Sequence, residues 1–208
     1  MIKIFGDIES GNCYKIKLLA LLLGLEHEWH HIDILAGETS TPLFTSMNLN
    51  GKIPVLEIAP QVYLCESNAI LNYLAEGSRF LPAQRLLKAR VLQWQFFEQY
   101  SHEPYIAVAR FIAKYLGLPA ERAQEYLAKQ DGGNRALRVM ERQLEESDFL
   151  TGNDYTIADM SLYAYTHVAA DGGFDLGLYP AISRWLQRIE KFPGHQTMAQ
   201  LVALKSSR

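Results

Sequence analysis

The hydrophobic period of this chain changes near Gly77, and that change limits the possible folds more than any other feature. Before it, short β-rich runs alternate with helical patterns. Residues 2–6 (IKIFG) read as a strand. From Asn12 to Leu23, the residues Ile16, Leu19, Leu22 and Leu23 recur at helical spacing, and Gly24 supplies a stop. Residues 28–34 (EWHHIDI) alternate as a second strand, and a short turn of helix is expected around 42–46. Two more strands, 55–58 and 62–65, flank APQ, which suits a tight antiparallel connection. A helix over 66–77 closes the set. The order is β-α-β and then β-β-α, an α/β domain over residues 1–78.

After Gly77 no strand pattern is found. Residues 78–84 read as a linker punctuated by Pro82. Helical patterns cover 85–116 and 120–147, and Gly132-Gly133 is expected to break or kink the second. The stretch NDYTIADMSLYAYTHVAA (153–170) opens with a helix start signal. Thr156 is an N-cap type, Asp159 follows three residues on, and Tyr155 and Met160 can staple the turn. Helices over 180–192 and 195–205 complete an all-α domain over 85–208.

Composition removes several function classes. Of 208 residues 49% are hydrophobic, enough for one large core or two small ones. Formal net charge is −3 with the basic residues scattered, so nucleic acid is not an expected partner. The longest apolar run, Leu18–Leu25, is far too short to cross a bilayer, so no membrane is expected. The chain enters a strand at once, without a signal-peptide pattern, and a cytoplasmic location follows as the expectation. Cys13 and Cys65 read as two reduced thiols. The six histidines suggest no metal: His30 and His31 are adjacent in a strand and face opposite ways, and His102 reads as a surface residue, with a place facing the cleft between the domains as the alternative. Tyr100, Tyr105, Phe111 and Tyr115 read as helix packing, with Tyr105 also placed to line an acceptor pocket.

Three short stretches carry chemistry. In ESGNCYK (9–15) a strand gives way to a helix, whose first N–H groups are unpaired and favour an anion. Ser10 stands there with no base beside it. It can cap the helix, or it can donate its hydroxyl to the thiolate of a ligand. Cys13, one turn inward, reads as a buried and inert thiol. In GKIPVL (51–56), Pro54 precedes a strand. Its peptide bond is either an ordinary trans link or a cis one that presents the Ile53 backbone to an extended ligand. In ES (66–67), Glu66 and Ser67 open a helix. They can cap it, or they can hold the ammonium and carboxylate of an amino-acid head group. Placed in one domain, the three describe a site for a small thiol peptide such as glutathione.

Over essentially its full length the chain resembles the cytosolic glutathione S-transferases, in their serine-using, bacterial-like form. The resemblance rests on SGNC (10–13), NLNGKIPVL (48–56), Glu66-Ser67 and GNDYTIADMSLYAY (152–165). It implies a thioredoxin-like α/β domain followed by an all-helical domain that forms the electrophile pocket. It implies that Ser10 is catalytic and keeps the glutathione sulfur as thiolate, with Asn12 in support. Ile53, beside a cis Pro54, would pair with the cysteinyl part, Lys52 would lie near the glycyl carboxylate, and Glu66 and Ser67 would hold the γ-glutamyl end. Leu49 replaces a common proline, and Thr39 stands near where relatives place a histidine for the glycyl end. The implied activity is conjugation of glutathione, as co-substrate and without other cofactor or metal, to a small hydrophobic electrophile by a homodimer. Glutathione-dependent disulfide or peroxide reduction, isomerisation, and a non-enzymatic glutathione-binding or stress-regulatory module are the alternatives.

Overall fold

The computed structural model describes residues 1–206, in two compact units. The first holds residues 1–78 together with the chain from Phe192 onward, and the second holds Arg79–Lys191. In the first, β1 (Ile2–Gly6), β2 (His27–His31), β3 (Val55–Ala59) and β4 (Val62–Leu64) form one sheet in the order β2-β1-β3-β4. β1 and β2 are parallel, so a crossover must join them, and α1 (Gly11–Leu22) supplies it. β3 runs antiparallel to β1, and β4 antiparallel to β3. Between β2 and β3 lies α2 (Pro42–Met47), started by the Thr41 hydroxyl accepting from Phe44 N–H. After β4 comes α3 (Ser67–Ala75), which packs on α1.

α1 is buried around most of its circumference, with Cys13, Ile16, Leu18, Leu19 and Ala20 all fully covered. Its apolar residues therefore form no single stripe. With Ile4, Leu56, Ile70 and Leu71 they make the core of this unit, each large side chain contributing roughly 1.5–3 kcal/mol of burial. Gly6 is required for that packing. A Cβ there would stand 2.6 Å from Cys13 Sγ.

The register decides where the chain's functional junctions go. Phe5 pairs with Val55, and Leu56 pairs with Leu64. The end of β1, the start of β3 and the end of β4 therefore share one end of the sheet. The sequence predicts the second strand over 28–34; β2 instead starts at His27 and stops at His31, because Ile32 keeps only one further bond, to Gly6 C=O.

The second unit is helical: α4 (Arg85–Phe97), α5 (Glu103–Arg110), α6 (Ala123–Glu146), α7 (Ile157–Thr166) and α8 (Pro180–Glu190). The sequence predicts one uninterrupted helix over 85–116. The chain there is helical, but π-turns at Glu98–His102 and Phe111–Tyr115 divide it. Pro104, which has no N–H to give, follows the first of them. Gly132-Gly133 does not break α6. Instead these residues let rings approach: a Cβ at Gly132 would meet Tyr105 Cδ1 at 2.1 Å, and one at Gly133 would meet Phe174 Cε1 at 2.2 Å. Residues 78–84 are not a solvated linker either. Phe80 and Leu81 are buried, and Phe80 C=O accepts from Ile157 N–H.

The predicted capping box is present. Thr156 Oγ1 accepts from Ala158 N–H, and the Asp159 carboxylate returns to Thr156 N–H. Asp159 does more than cap. Its Oδ1 also accepts from Leu150 N–H at 2.9 Å and Trp185 Nε1–H at 3.0 Å, and Thr156 Oγ1 reaches Oδ2 at 3.1 Å. Full burial pushes this carboxyl up to about 6, while the four donors restrain the shift. The chain after α8 departs from the all-α assignment over 85–208. From Phe192 on it belongs to the first unit, where the Tyr14 hydroxyl donates to Gln196 C=O at 2.8 Å. There α9 (Met198–Ser206) buries Met198 and Leu201.

Two stability outcomes follow. Asp159→Ala takes the acceptor from four buried donors, Leu150 N–H, Thr156 N–H, the Thr156 hydroxyl and Trp185 Nε1–H. It should cost about 2–5 kcal/mol in urea unfolding, and a loss below 1 kcal/mol would show that water replaces the carboxylate. His195 titrates at about 4, lowered by burial from 6.5. Its contribution is present above the unfolded value and is lost as pH falls from 6.5 through 4. His195→Gln should flatten the melting temperature over that window.

Candidate active site

The three chemical stretches meet at the shared end of the sheet. After β1, Asp7 shapes the loop: its carboxylate accepts from Glu9 N–H at 3.1 Å and its carbonyl from Ser10 N–H at 3.1 Å. Ser10 then occupies the N-cap position of α1, and its carbonyl accepts from Cys13 and Tyr14 N–H. Its side chain caps nothing. The hydroxyl lies instead within hydrogen-bonding reach of Cys13 Sγ, where it favours the thiolate. Burial outweighs that help and pushes the Cys13 thiol up to about 12. The reading of Cys13 as buried and unreactive at neutral pH agrees with this environment. The capping alternative for Ser10 does not.

The second junction holds the cis peptide bond Ile53–Pro54. Pro54 is buried, Ile53 is half-buried just ahead of β3, and Lys52 is exposed. Asn48 fixes this loop by donating to Lys52 C=O at 2.6 Å. Leu49 is 96% exposed, so its replacement of proline touches the loop surface alone. Thr39 sits in a short 3₁₀ turn, Glu38–Ser40, and its carbonyl lies 3.2 Å from where a Cβ on Gly51 would be.

The third junction breaks a local rule. Glu66 has φ 66° and ψ 110°, a conformation that side chains other than glycine rarely adopt. It holds the N-cap position of α3 without a side-chain cap bond. Its carboxylate is exposed and available. Ser67 is buried, and its hydroxyl donates to Asn12 Oδ1 at 3.1 Å. The capping alternative for this pair therefore fails as well. The Ser67–Asn12 bond was not predicted from sequence, where Asn12 reads only as support for a thiolate. It laces the first turn of α3 to the first turn of α1. One helical turn deeper, fully buried Lys15 donates to Asn68 Oδ1 at 3.0 Å and repeats the link. No periodicity signals either contact, since both depend on the packing of α1 on α3.

Residues 1–76 match the family described as glutathione S-transferase, N-terminal domain, and residues 94–193 match its C-terminal domain. A glutathione S-transferase of known structure from Pseudomonas fluorescens Pf-5 is 59% identical, with a TM-score of 0.93 over 95% of this chain and 98% of its own. The chain belongs to the glutathione S-transferase family. Among curated proteins, the disulfide-bond oxidoreductase YfcG of Escherichia coli K12 is 29% identical over 88% of this chain and 87% of its own length. A second P. fluorescens Pf-5 family member, solved with two glutathione bound, shares the fold at 24% identity and TM-score 0.81, over 93% of this chain and 89% of its own.

The helical unit corrects two sequence expectations. His102 is fully buried, not a surface residue, and its Nε2 lies 2.9 Å from Thr166 Oγ1. The Thr166 hydroxyl gives its proton to Leu162 C=O at 2.7 Å, so His102 Nε2 is the donor of this pair. Tyr100 does not pack inside the helices: it is 85% exposed. Phe111 and Tyr115 do stack, with ring centroids 5.3 Å apart. Among the described residues no cluster of three or more His, Cys, Asp or Glu could hold a metal ion, and no helix is long and apolar enough to cross a membrane.

Glu66 offers a direct check on the strained junction. Glu66→Gly removes the side chain that disfavours φ 66° and should stabilise the fold by about 1 kcal/mol. A denaturation midpoint that falls instead would mean that the Glu66 side chain supports the fold through contacts that outweigh the backbone strain.

Proposed function

We propose that the three junctions of the first unit bind glutathione and that Ser10 activates its sulfur for attack on a small hydrophobic electrophile. The observation that carries this reading is the Ser10 hydroxyl. It stands at the N-cap position of α1 and caps no helix N–H. A hydroxyl placed at a positive helix end and left uncommitted to the backbone is suited to donate to an incoming thiolate. Lowering the thiol pKa of the bound peptide raises its thiolate fraction at neutral pH.

Glu66 draws the γ-glutamyl ammonium, while the N–H groups opening α3 hold its carboxylate. The amide of Asn12, whose Oδ1 is occupied by Ser67, turns its own donors to the same ligand. The Ile53 backbone pairs with the cysteinyl part, and Lys52 neutralises the glycyl carboxylate. In the chemical step the thiolate attacks an electrophilic carbon, a C–S bond forms, and the leaving group departs with its electron pair. Tyr105, in the second unit, lines the acceptor pocket. Glutathione is the co-substrate, with no resident cofactor or metal. We place the reaction in cytoplasmic detoxification by a homodimer.

A second reading uses the same thiolate to reduce disulfides, and the name of the E. coli relative favours it. There the thiolate attacks a disulfide sulfur, and a second glutathione resolves the mixed disulfide.

Ser10→Ala tests the shared step. One hydrogen bond to a charged group is worth about 1.5–3 kcal/mol, so kcat/KM should fall roughly ten- to a hundredfold. The apparent thiol pKa of bound glutathione, followed by thiolate absorbance, should rise while glutathione affinity changes little. An unchanged thiol pKa would remove Ser10 from the role given to it.

A further inference from the structure

The bond from the Tyr14 hydroxyl to Gln196 C=O joins residues 182 positions apart, and it starts one helical turn from Ser10. The α1 side of this bond is rigid. Tyr14 is fully buried. Its N–H donates to Ser10 C=O at 2.8 Å, and Cys13 N–H donates to the same oxygen at 3.1 Å. Any displacement of Tyr14 is therefore passed to the Ser10 backbone through the first turn of the helix.

The Gln196 side is fixed as well. Thr197, the next residue, precedes α9 and forms a reciprocal cap with Gln200. Thr197 Oγ1 accepts from Gln200 N–H at 3.3 Å, and Gln200 Oε1 accepts from Thr197 N–H at 2.8 Å. Met198 and Leu201 then bury the start of α9. Just upstream, a Cβ on Gly194 would stand 3.5 Å from Leu22 Cδ2. The segment around Gln196 thus meets α1 at its last residue, Leu22, and again near its start, at Tyr14. A hydrogen bond anchored rigidly on both sides transmits position, which a bond to a frayed end would not. The precision matters because a hydrogen bond weakens steeply as it leaves its preferred length and angle, and a functional hydroxyl must be held to within about 0.5 Å.

We propose that Tyr14 is a positioning residue for the chemistry of Ser10: through Gln196 C=O it ties the start of α1 to α9 and fixes the place from which the Ser10 hydroxyl meets the glutathione sulfur. The effect on the sulfur rests on the role given to Ser10 above, whereas the tie itself is measurable without any ligand.

Two variants of the full-length chain test this. Tyr14→Phe removes the hydroxyl and keeps the buried ring, and Thr197→Ala loosens Gln196 without touching α1. Without ligand, amide hydrogen exchange at Cys13 and Tyr14, the two donors to Ser10 C=O, should quicken at least about fivefold in Tyr14→Phe. With glutathione bound, the apparent thiol pKa, followed by thiolate absorbance, should rise by about 0.5 to 1, while calorimetric glutathione affinity changes less than about twofold. Thr197→Ala should move exchange and thiol pKa in the same direction by less. In a Ser10→Ala background, Tyr14→Phe should leave the thiol pKa where Ser10→Ala alone puts it, because the hydroxyl that it positions is gone. A Tyr14→Phe protein with a lower denaturation midpoint but the native thiol pKa would reduce Tyr14 to a stabilising role and overturn the proposal. Unchanged exchange at Cys13 and Tyr14, or the same rise in thiol pKa with and without the Ser10 hydroxyl, would overturn it too. Ser10→Ala alone leaving the thiol pKa at its native value would instead overturn the proposed function, and the tie would then be judged by exchange.

Discussion

The antiparallel pairing of β3 with β1 is the constraint on which the first unit depends. Lys3 faces Glu57, Ile4 faces Leu56 and Phe5 faces Val55, and Leu56 then faces Leu64 across the next ladder. This register buries Ile4 and Leu56 on the sheet. A slip of β3 by one residue would turn Leu56 toward the opposite face from Ile4. The Lys3–Glu57 ion pair at 3.2 Å reinforces the register, and Gln61 N–H donates to the same carboxylate where the chain turns into β4. These two partners hold Glu57 below the usual carboxylate range. Once the register is set, three chain segments far apart in sequence must emerge at one end of the sheet. The site is a consequence of strand direction before it is a matter of particular side chains.

The helical unit has its own organising group, and it is polar. Asp159 gathers donors from Leu150, Thr156 and Trp185, so one carboxylate joins the chain before α7, the start of α7 and the middle of α8. Glu141 acts in the same way on α8, its two oxygens accepting the first N–H groups, from Ala181 at 2.8 Å and Ile182 at 2.9 Å. Each such carboxylate meets donors that the helix itself cannot satisfy. Hydrophobic burial drives these helices together, and the carboxylates fix which ends meet.

Much of this was legible in the sequence, for reasons that differ by element. β1, β3, β4 and α3 were legible because a strand or helix packed on one side shows its period, and α1 because its long apolar run stops at Gly24. The capping box was legible because both of its members lie within four residues. What was not legible depended on contacts across the fold. Gly132-Gly133 has the composition of a break, and only the rings of Tyr105 and Phe174 reveal that the glycines serve close approach. His102 looks like a surface residue until Thr166, 64 positions away, accepts its hydrogen bond. The last helix looks like part of the helical domain, and it is assigned to the first unit because Tyr14 and Gln196 meet. At the site, Ser10, Pro54, Glu66 and Ser67 could be named from motif spacing, whereas the Asn12–Ser67 bond required the packing of α1 on α3.

The places where local rules fail are informative in themselves. A serine at an N-cap position ordinarily spends its oxygen on the helix, and Ser10 does not. A position with φ 66° ordinarily holds glycine, and this one holds Glu66. Consistency across levels is what makes a sequence fold, so each exception lowers stability or leaves an interaction unmade. Glu66 illustrates the argument best. Glycine would relieve its backbone, and no cap bond rewards the carboxylate for being there. The strain is offset by the rest of the unit: α3 is held through Ser67 and Asn68 to α1, and α1 is buried almost all round. A rigid pair of helices can therefore carry a strained residue at its tip and hold its backbone in place, with the side chain exposed. A backbone held in place leaves only the rotamers of the side chain to be ordered on binding, which is a physical reason for a glutamate to occupy a position that suits glycine.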